Sequence, residues 1–221
     1  SEVASTRCFG SLASALTLWA AARLLAAFFS ELVRNPRRTL SLAHRCLGPG
    51  FGTLERFGEN LWGFFAGFAL AGRFRDLGVT HAHAPWAGGA AMAAWVASEL
   101  TGIPFSFAAR AGDIHPPEPA LARKTAAAAF VRVNNAANAV YLRSFAGDAP
   151  DKVALVYNCL SLAPERGKSG ERAPGPVRFL AAGRFVATKG FSHLLDACAL
   201  LRGRGVDFRL VLAGVRRSTR L

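Results

Sequence analysis

The sequence predicts an α/β protein built on parallel sheets, and three observations carry that expectation. Between Val79 and Tyr157, short apolar runs rich in β-branched and aromatic residues alternate with helical patterns. From Val177 to Leu212 the same alternation recurs as VRFLAA, a turn, a helix and FRLVLAG. Between the two lies a segment without apolar periodicity. Strands that alternate with helices are joined by crossovers and therefore run parallel, which predicts doubly wound sheets in two domains.

The elements follow in order. Leu12 to Phe29 is apolar and about long enough to span a bilayer, but it holds Arg23. A central arginine costs roughly 2.5 to 3.5 kcal/mol on insertion scales, and alanines offset little of that. On a helical wheel Leu12, Leu16 and Trp19 share a side with Arg23, while Leu24, Leu25, Phe28, Phe29 and Leu32 cover the other. Such a helix is either sandwiched in a domain or lies at a bilayer surface. No basic segment with a small-residue cleavage site precedes it, so no signal peptide is assigned, and the missing start methionine reads as a fragment. Pro36 to Leu47 reads as a short basic helix and Leu54 to Leu77 as a longer one rich in Phe and Trp. VTHAHA is then a strand, Gly88 to Thr101 a helix and IPFSFAA a second strand. A helix from Pro119 to Ala129, the strand FVRV, a helix from Ala136 to Phe145 and the strand KVALVY continue the pattern.

Three prolines, three glycines and five charged residues fall between Leu162 and Pro176. That composition marks a linker. The boundaries are therefore residues 1–160 for a partial first domain, 161–176 for the linker and 177–221 for a second. The second supplies only strand, helix and strand, too little to cover its own sheet, so it is expected to be incomplete.

The net charge is +13, yet only four of the 27 basic residues are lysine and no run exceeds two. An arginine-biased composition explains this better than a nucleic-acid surface, with anionic lipid or phosphate ligands next. No nucleic acid is expected as a partner. Residues 151–221 hold 13 basic and 5 acidic side chains (+8), leaving 14 and 9 (+5) for the rest, so the excess leans toward the turn after VRFLAA. Cys8, Cys46, Cys159 and Cys198 are scattered without a framework, which predicts free thiols in a reducing compartment. His81 and His83 face one side of a strand without a third ligand nearby, so no metal is assigned.

A diphosphate is the ligand that the second strand, turn and helix suit best. Gly183, Arg184, Lys189 and Gly190 put two cations in the turn that opens onto a helix N-terminus. An arginine is a planar fork and a lysine a compact cation, and both suit phosphate oxygens. At the carboxyl end of the first strand, His81 and His83 stand where ligands gather in such sheets, and Gly88 and Gly89 allow close approach to a helix N-terminus.

The order THAHAPWAGGAAMAAWVASELTGIPFSF, then Asp113-Ile114, then KVALVYN, then GRFVATKGFSHLLDACALL resembles the family-4 glycosyltransferases of the GT-B fold, the kind that builds bacterial exopolysaccharide. Matching segments run from about residue 30 to residue 214. The resemblance implies two Rossmann-like domains, the first for an acceptor and the second for a nucleotide-diphosphate sugar, with retention at the anomeric carbon and no cofactor. It implies that Gly183, Arg184, Lys189 and Gly190 hold the donor diphosphate, and that His81, His83, Gly88, Gly89 and Asn158 lie on the acceptor side. In FSFAARAGDIH it places Asp113, which by itself reads as a turn or helix-cap residue, as a contact beside the reacting sugar or acceptor, and puts Arg110 where the family has a histidine. Arginine cannot accept a proton near neutral pH; it holds a phosphate instead. Cys159 stands where the family shows glycine after asparagine, so a turn with positive φ there would be strained.

Relatives begin with a further strand and glycine-bearing loop and continue into two glutamates that bind the donor. Here VLAG runs into VRRSTRL, which reads as truncation at both ends. The expected protein is a glycosyltransferase-like chain that takes a nucleotide-diphosphate sugar and a saccharide or lipid-linked acceptor. It is placed in the cytoplasm at the inner face of the membrane, with peripheral contact to anionic lipid. The alternatives are an inactive fragment that still binds phosphate or sugar, and a basic adaptor for membrane or nucleic acid.

Overall fold

The computed structural model describes residues 18–48, 52–117, 119–147, 150–159 and 175–214. The start of the N-terminal apolar stretch, most of the predicted linker and the VRRSTRL tail lie outside these. The chain divides into two compact units, Ser1–Leu160 and Ser161–Leu221.

The first unit opens with three helices. Helix α1 (Leu18–Arg34) is followed by α2 (Pro36–Leu47), with proline in its first turn, where no N–H is needed. Helix α3 (Leu54–Asp76) starts at Thr53, whose hydroxyl accepts the Arg56 N–H at 3.2 Å. Phe28 of α1 meets Phe64, Phe65 and Phe68 of α3 at ring separations of 6.0, 5.2 and 5.2 Å, so aromatic packing holds the two helices together.

Strand β1 (Ala82–Ala84) then leads to α4 (Gly89–Thr101), which ends at Gly102 with φ of 78°, a left-handed C-cap. Strand β2 (Phe105–Ala109), the short α5 (Ala111–Ile114), α6 (Leu121–Ala127), β3 (Phe130–Val133), α7 (Ala136–Phe145) and β4 (Val153–Leu155) follow. Strands β1 and β4 are shorter than the apolar runs that predict them; His81 lies just before β1.

The four strands are parallel in the order β1-β2-β3-β4. This is a Rossmann-like α/β layer, but the described strands are added in one direction only. The reversal that defines a doubly wound sheet is absent among the described residues. Right-handed crossovers that always step the same way leave their helices on one face. Ala82, Ala84, Phe105, Phe107, Ala109, Val131, Val133 and Val153 fill the core, and the register places them on one face. The other face carries His83, Ser106, Phe130 and Arg132.

Helices α3 and α4 cross at backbone contact. A Cβ at Gly63 would stand 2.2 Å from the Gly89 carbonyl oxygen, and one at Gly67 2.5 Å from the Val96 Cβ. Glycine is required at both positions because no side chain fits the gap. Helix α2 is tied to α4 through Glu99, which accepts two bonds from the Arg45 guanidinium at 3.0 and 2.8 Å and one from Trp95 Nε1 at 3.1 Å. The Arg38 guanidinium donates to the Glu99 carbonyl. The Arg45 bond holds the Glu99 carboxyl below the ordinary carboxylate range despite partial burial.

The second unit consists of β5 (Val177–Ala182), a 3-10 turn at Ala187–Lys189, α8 (Phe191–Gly203) and β6 (Phe208–Ala213), with β5 and β6 parallel over six residue pairs. Cys198 is its one buried residue among those described, and Leu180 and Val211 are 72% and 56% exposed. Both apolar strands are thus incompletely covered.

Candidate functional site

In the first unit the candidate residues fall into two groups, one at the carboxyl ends of the strands and one on the open sheet face. At the strand ends, the loop after β1 carries Trp86, and β2 is followed by Arg110 and then by Asp113 in α5. The Arg110 guanidinium lies over the Trp86 ring, 4.4 Å from its centroid, and Trp86 is 46% exposed. Arg110 Nε is buried without a hydrogen-bond partner. The Asp113 carboxylate accepts the Arg110 backbone N–H at 3.3 Å, the returning half of a capping box on α5. Burial pushes the Asp113 carboxyl up, against bonds from the Arg110 and Ala87 backbones, and the Glu59 carboxylate adds to the rise. Asp113 is therefore a cap, and Arg110 is a cation on an aromatic platform with donor capacity unused at Nε.

Gly88 and Gly89 have a different task from the one the sequence suggests. The Gly89 N–H donates to the Glu59 carboxylate at 3.1 Å, so an acidic side chain of the protein already occupies the α4 N-terminus. A Cβ at Gly88 would stand 2.4 Å from Glu59 Oε1, and one at Gly89 2.4 Å from the Glu59 carbonyl. Both glycines let α3 approach. The same turn is anchored by Lys124, fully buried, whose Nζ donates to Asn60 Oδ1 at 2.7 Å and to the carbonyls of Ala87 and Gly88 at 2.8 and 3.0 Å.

On the open face His81 Nε2 and His83 Nδ1 both meet Ser106 Oγ, at 2.8 and 2.7 Å. A hydroxyl has one proton to give, so with two neutral rings it donates to one and accepts from the other. Both imidazoles stack on Phe130, at 5.8 and 6.1 Å. Burial, then the charges of His81 and Arg132, hold the His83 ring below its usual range. Among the described residues no group of three or more His, Cys, Asp or Glu could hold a metal ion. Asn158 is held by Arg132, which donates to its Oδ1 at 2.6 Å and to the Val156 carbonyl at 3.2 Å. Strand β4 lies three spacings from β1, about 14 Å, so Asn158 is not beside the histidines. No non-glycine residue among those described has positive φ, so Cys159 carries no such strain. A groove of about 410 Å³ beside β1 is lined by His81 and His83 and by apolar residues such as Trp62, Leu70 and Phe74.

In the second unit the predicted turn forms. Gly183 closes β5 by donating its N–H to the Ala213 carbonyl at 2.9 Å, and Gly190 caps α8 with φ of 67°, which favours glycine. The Lys189 stem runs along Gly183, where an added Cβ would stand 3.8 Å from Lys189 Cγ. Arg184 and Lys189 are both exposed, and neither side chain bonds to a described residue. Trp86, Ser106, Lys124 and Glu59 escape sequence reasoning because each acquires its role from a partner 23 or more positions away.

No protein-family model matches the chain, and no curated protein matches it.

Proposed function

We propose that this chain is a glycosyltransferase-like protein of the GT-B kind, which binds a nucleotide-diphosphate sugar and passes the sugar to a hydroxyl of a saccharide or lipid-linked acceptor. The observation that carries the reading is the turn from Gly183 to Gly190, where two unpartnered cations stand between a parallel strand and a helix N-terminus. A departing diphosphate gains negative charge as the glycosidic bond breaks, and cations beside it stabilise that charge. Arg184 supplies a fork and Lys189 a point charge, and the backbone N–H groups that open α8 add to both.

Arg110 favours a second reading, binding without transfer. Its guanidinium cannot serve as a base, and a guanidinium suits a phosphate oxygen better than a sugar hydroxyl. Titration calorimetry with nucleotide-diphosphate sugars, run beside a transfer assay, separates the two: heat with product supports transfer, heat without product supports binding alone. Arg184→Ala or Lys189→Ala is expected to weaken nucleotide-diphosphate binding by about 1.5 to 3 kcal/mol each, the scale of a charge-assisted hydrogen bond. Equal affinity in parent and variants removes the diphosphate assignment.

A further inference from the structure

One helix presents an apolar surface that the fold leaves uncovered. Phe28 fastens α1 to α3, which turns Ala22, Leu25, Ala26, Phe29, Ser30 and Val33 outward as exposed residues. At about 100° per residue these fall within an arc of about 140°, and no charge lies inside it. Leu25, Phe29 and Val33 are 42%, 54% and 83% exposed. Three large apolar side chains in line over about 12 Å are more than the scattered exposed residues of an ordinary surface.

The edges of the arc differ. Along one, α1 packs against α3. Just beyond the other lie Arg23 and Arg34, three turns apart, and α2 adds exposed Arg37 immediately after. Residues 18–48 contain five arginines and one acidic residue, Glu31, whose carboxylate is engaged by the Asn35 side chain at 2.8 Å. An apolar arc bordered by guanidinium groups and almost free of acid complements a negatively charged interface: the apolar side chains enter the acyl boundary and the arginine heads stay at the headgroups. No helix among the described residues is long and apolar enough to cross a membrane, so the helix would lie flat.

We propose that α1, with Arg34 and Arg37, is a docking surface for an anionic bilayer. This does not rest on the glycosyl-transfer reading; a chain that transfers no sugar could still dock.

The test is sedimentation of the full chain with sucrose-loaded vesicles of phosphatidylcholine alone and of phosphatidylcholine with 30% phosphatidylglycerol. Binding is expected to the anionic vesicles only, and to weaken on raising salt. Phe29→Asp with Val33→Asp should reduce partitioning at least about tenfold, since two apolar side chains are withdrawn from the acyl boundary. Arg34→Glu with Arg37→Glu should reduce it on the order of tenfold or more, and only with anionic vesicles. Circular dichroism checks that the variants fold. Hydrogen exchange of the unmodified chain gives a readout without substitution: amides of residues 22–33 should gain protection on adding anionic vesicles. Absence of binding, unchanged partitioning in folded variants, or unchanged exchange in that stretch each overturns the proposal. So does conversion of a dimer to a monomer by Phe29→Asp with vesicle binding intact, which would assign the arc to a second copy of the chain.

Discussion

Replacing Lys124 by methionine tests how the turn after β1 is held. The ammonium sits at 0% exposure and gives bonds of 2.7, 2.8 and 3.0 Å to Asn60 Oδ1, Ala87 O and Gly88 O. Methionine preserves the volume and removes the donors, leaving acceptors inside an apolar region. The Gly88 carbonyl keeps the Met92 N–H at 3.1 Å, while Asn60 Oδ1 and the Ala87 carbonyl each lose a charged donor, at roughly 1 to 3 kcal/mol apiece. Against this, removing the charge relieves a desolvation penalty of several kcal/mol. The bonds prevail because Asn60 is itself fully buried on α3 and the two carbonyls belong to the backbone of the β1–α4 turn. The expected net loss is about 2 kcal/mol, and for a chain of this size that lowers the midpoint by about 4 to 8 °C. All four tryptophans, Trp19, Trp62, Trp86 and Trp95, precede residue 161, so intrinsic fluorescence reports the first unit alone. Thermal unfolding followed by fluorescence supplies the number. A Lys124→Met variant as stable as the parent, or more so, would refute the reasoning by showing that desolvation outweighs the three bonds.

Gly63→Ala should destabilise the first unit by about 2 to 4 kcal/mol in urea titration, because its Cβ meets the Gly89 carbonyl and the α3–α4 crossing must open; Gly58→Ala, in the same helix with nothing within 4 Å, serves as the control and should stabilise by about 0.5 to 1 kcal/mol. Glu99 has a folded-state pKa below its ordinary value, so its contribution is present above the carboxylate range and is lost as pH falls through the depressed value. Glu99→Gln should therefore lower stability at pH 7 by about 1 kcal/mol, discounted for partial exposure, with the difference closing under acid melting. For His83 the sign is also toward loss in acid: the folded ring resists protonation, so stability falls as pH drops below the ordinary histidine range. A His83→Gln variant should show a flatter stability profile between pH 7 and 5, measured by the same fluorescence melts.

The Val177–Leu212 unit shows how far pattern alone can reach. Its strand, turn and helix depend on neighbours within a few positions: short apolar runs for β5 and β6, and a left-handed glycine at Gly190 where α8 begins. Local backbone preferences of that kind are written residue by residue. The alternation from β1 to β4 was legible for the same reason, whereas the lengths of β1 and β4 were not, because a strand ends where its partner ends.

What the amino-acid order determined by itself was the alternating α/β class, the turn with Arg184 and Lys189, and the Arg23 charge inside the N-terminal apolar stretch. Tertiary structure decided the rest. It put Glu59 on the helix N-terminus that Gly88 and Gly89 seemed to offer a ligand, gave His81 and His83 one hydroxyl to share, and buried Lys124 under three acceptors. The physical reason is range. Dihedral preference and periodicity act between near neighbours, while burial, desolvation and the pairing of polar groups depend on which distant segments the fold brings within 3 Å.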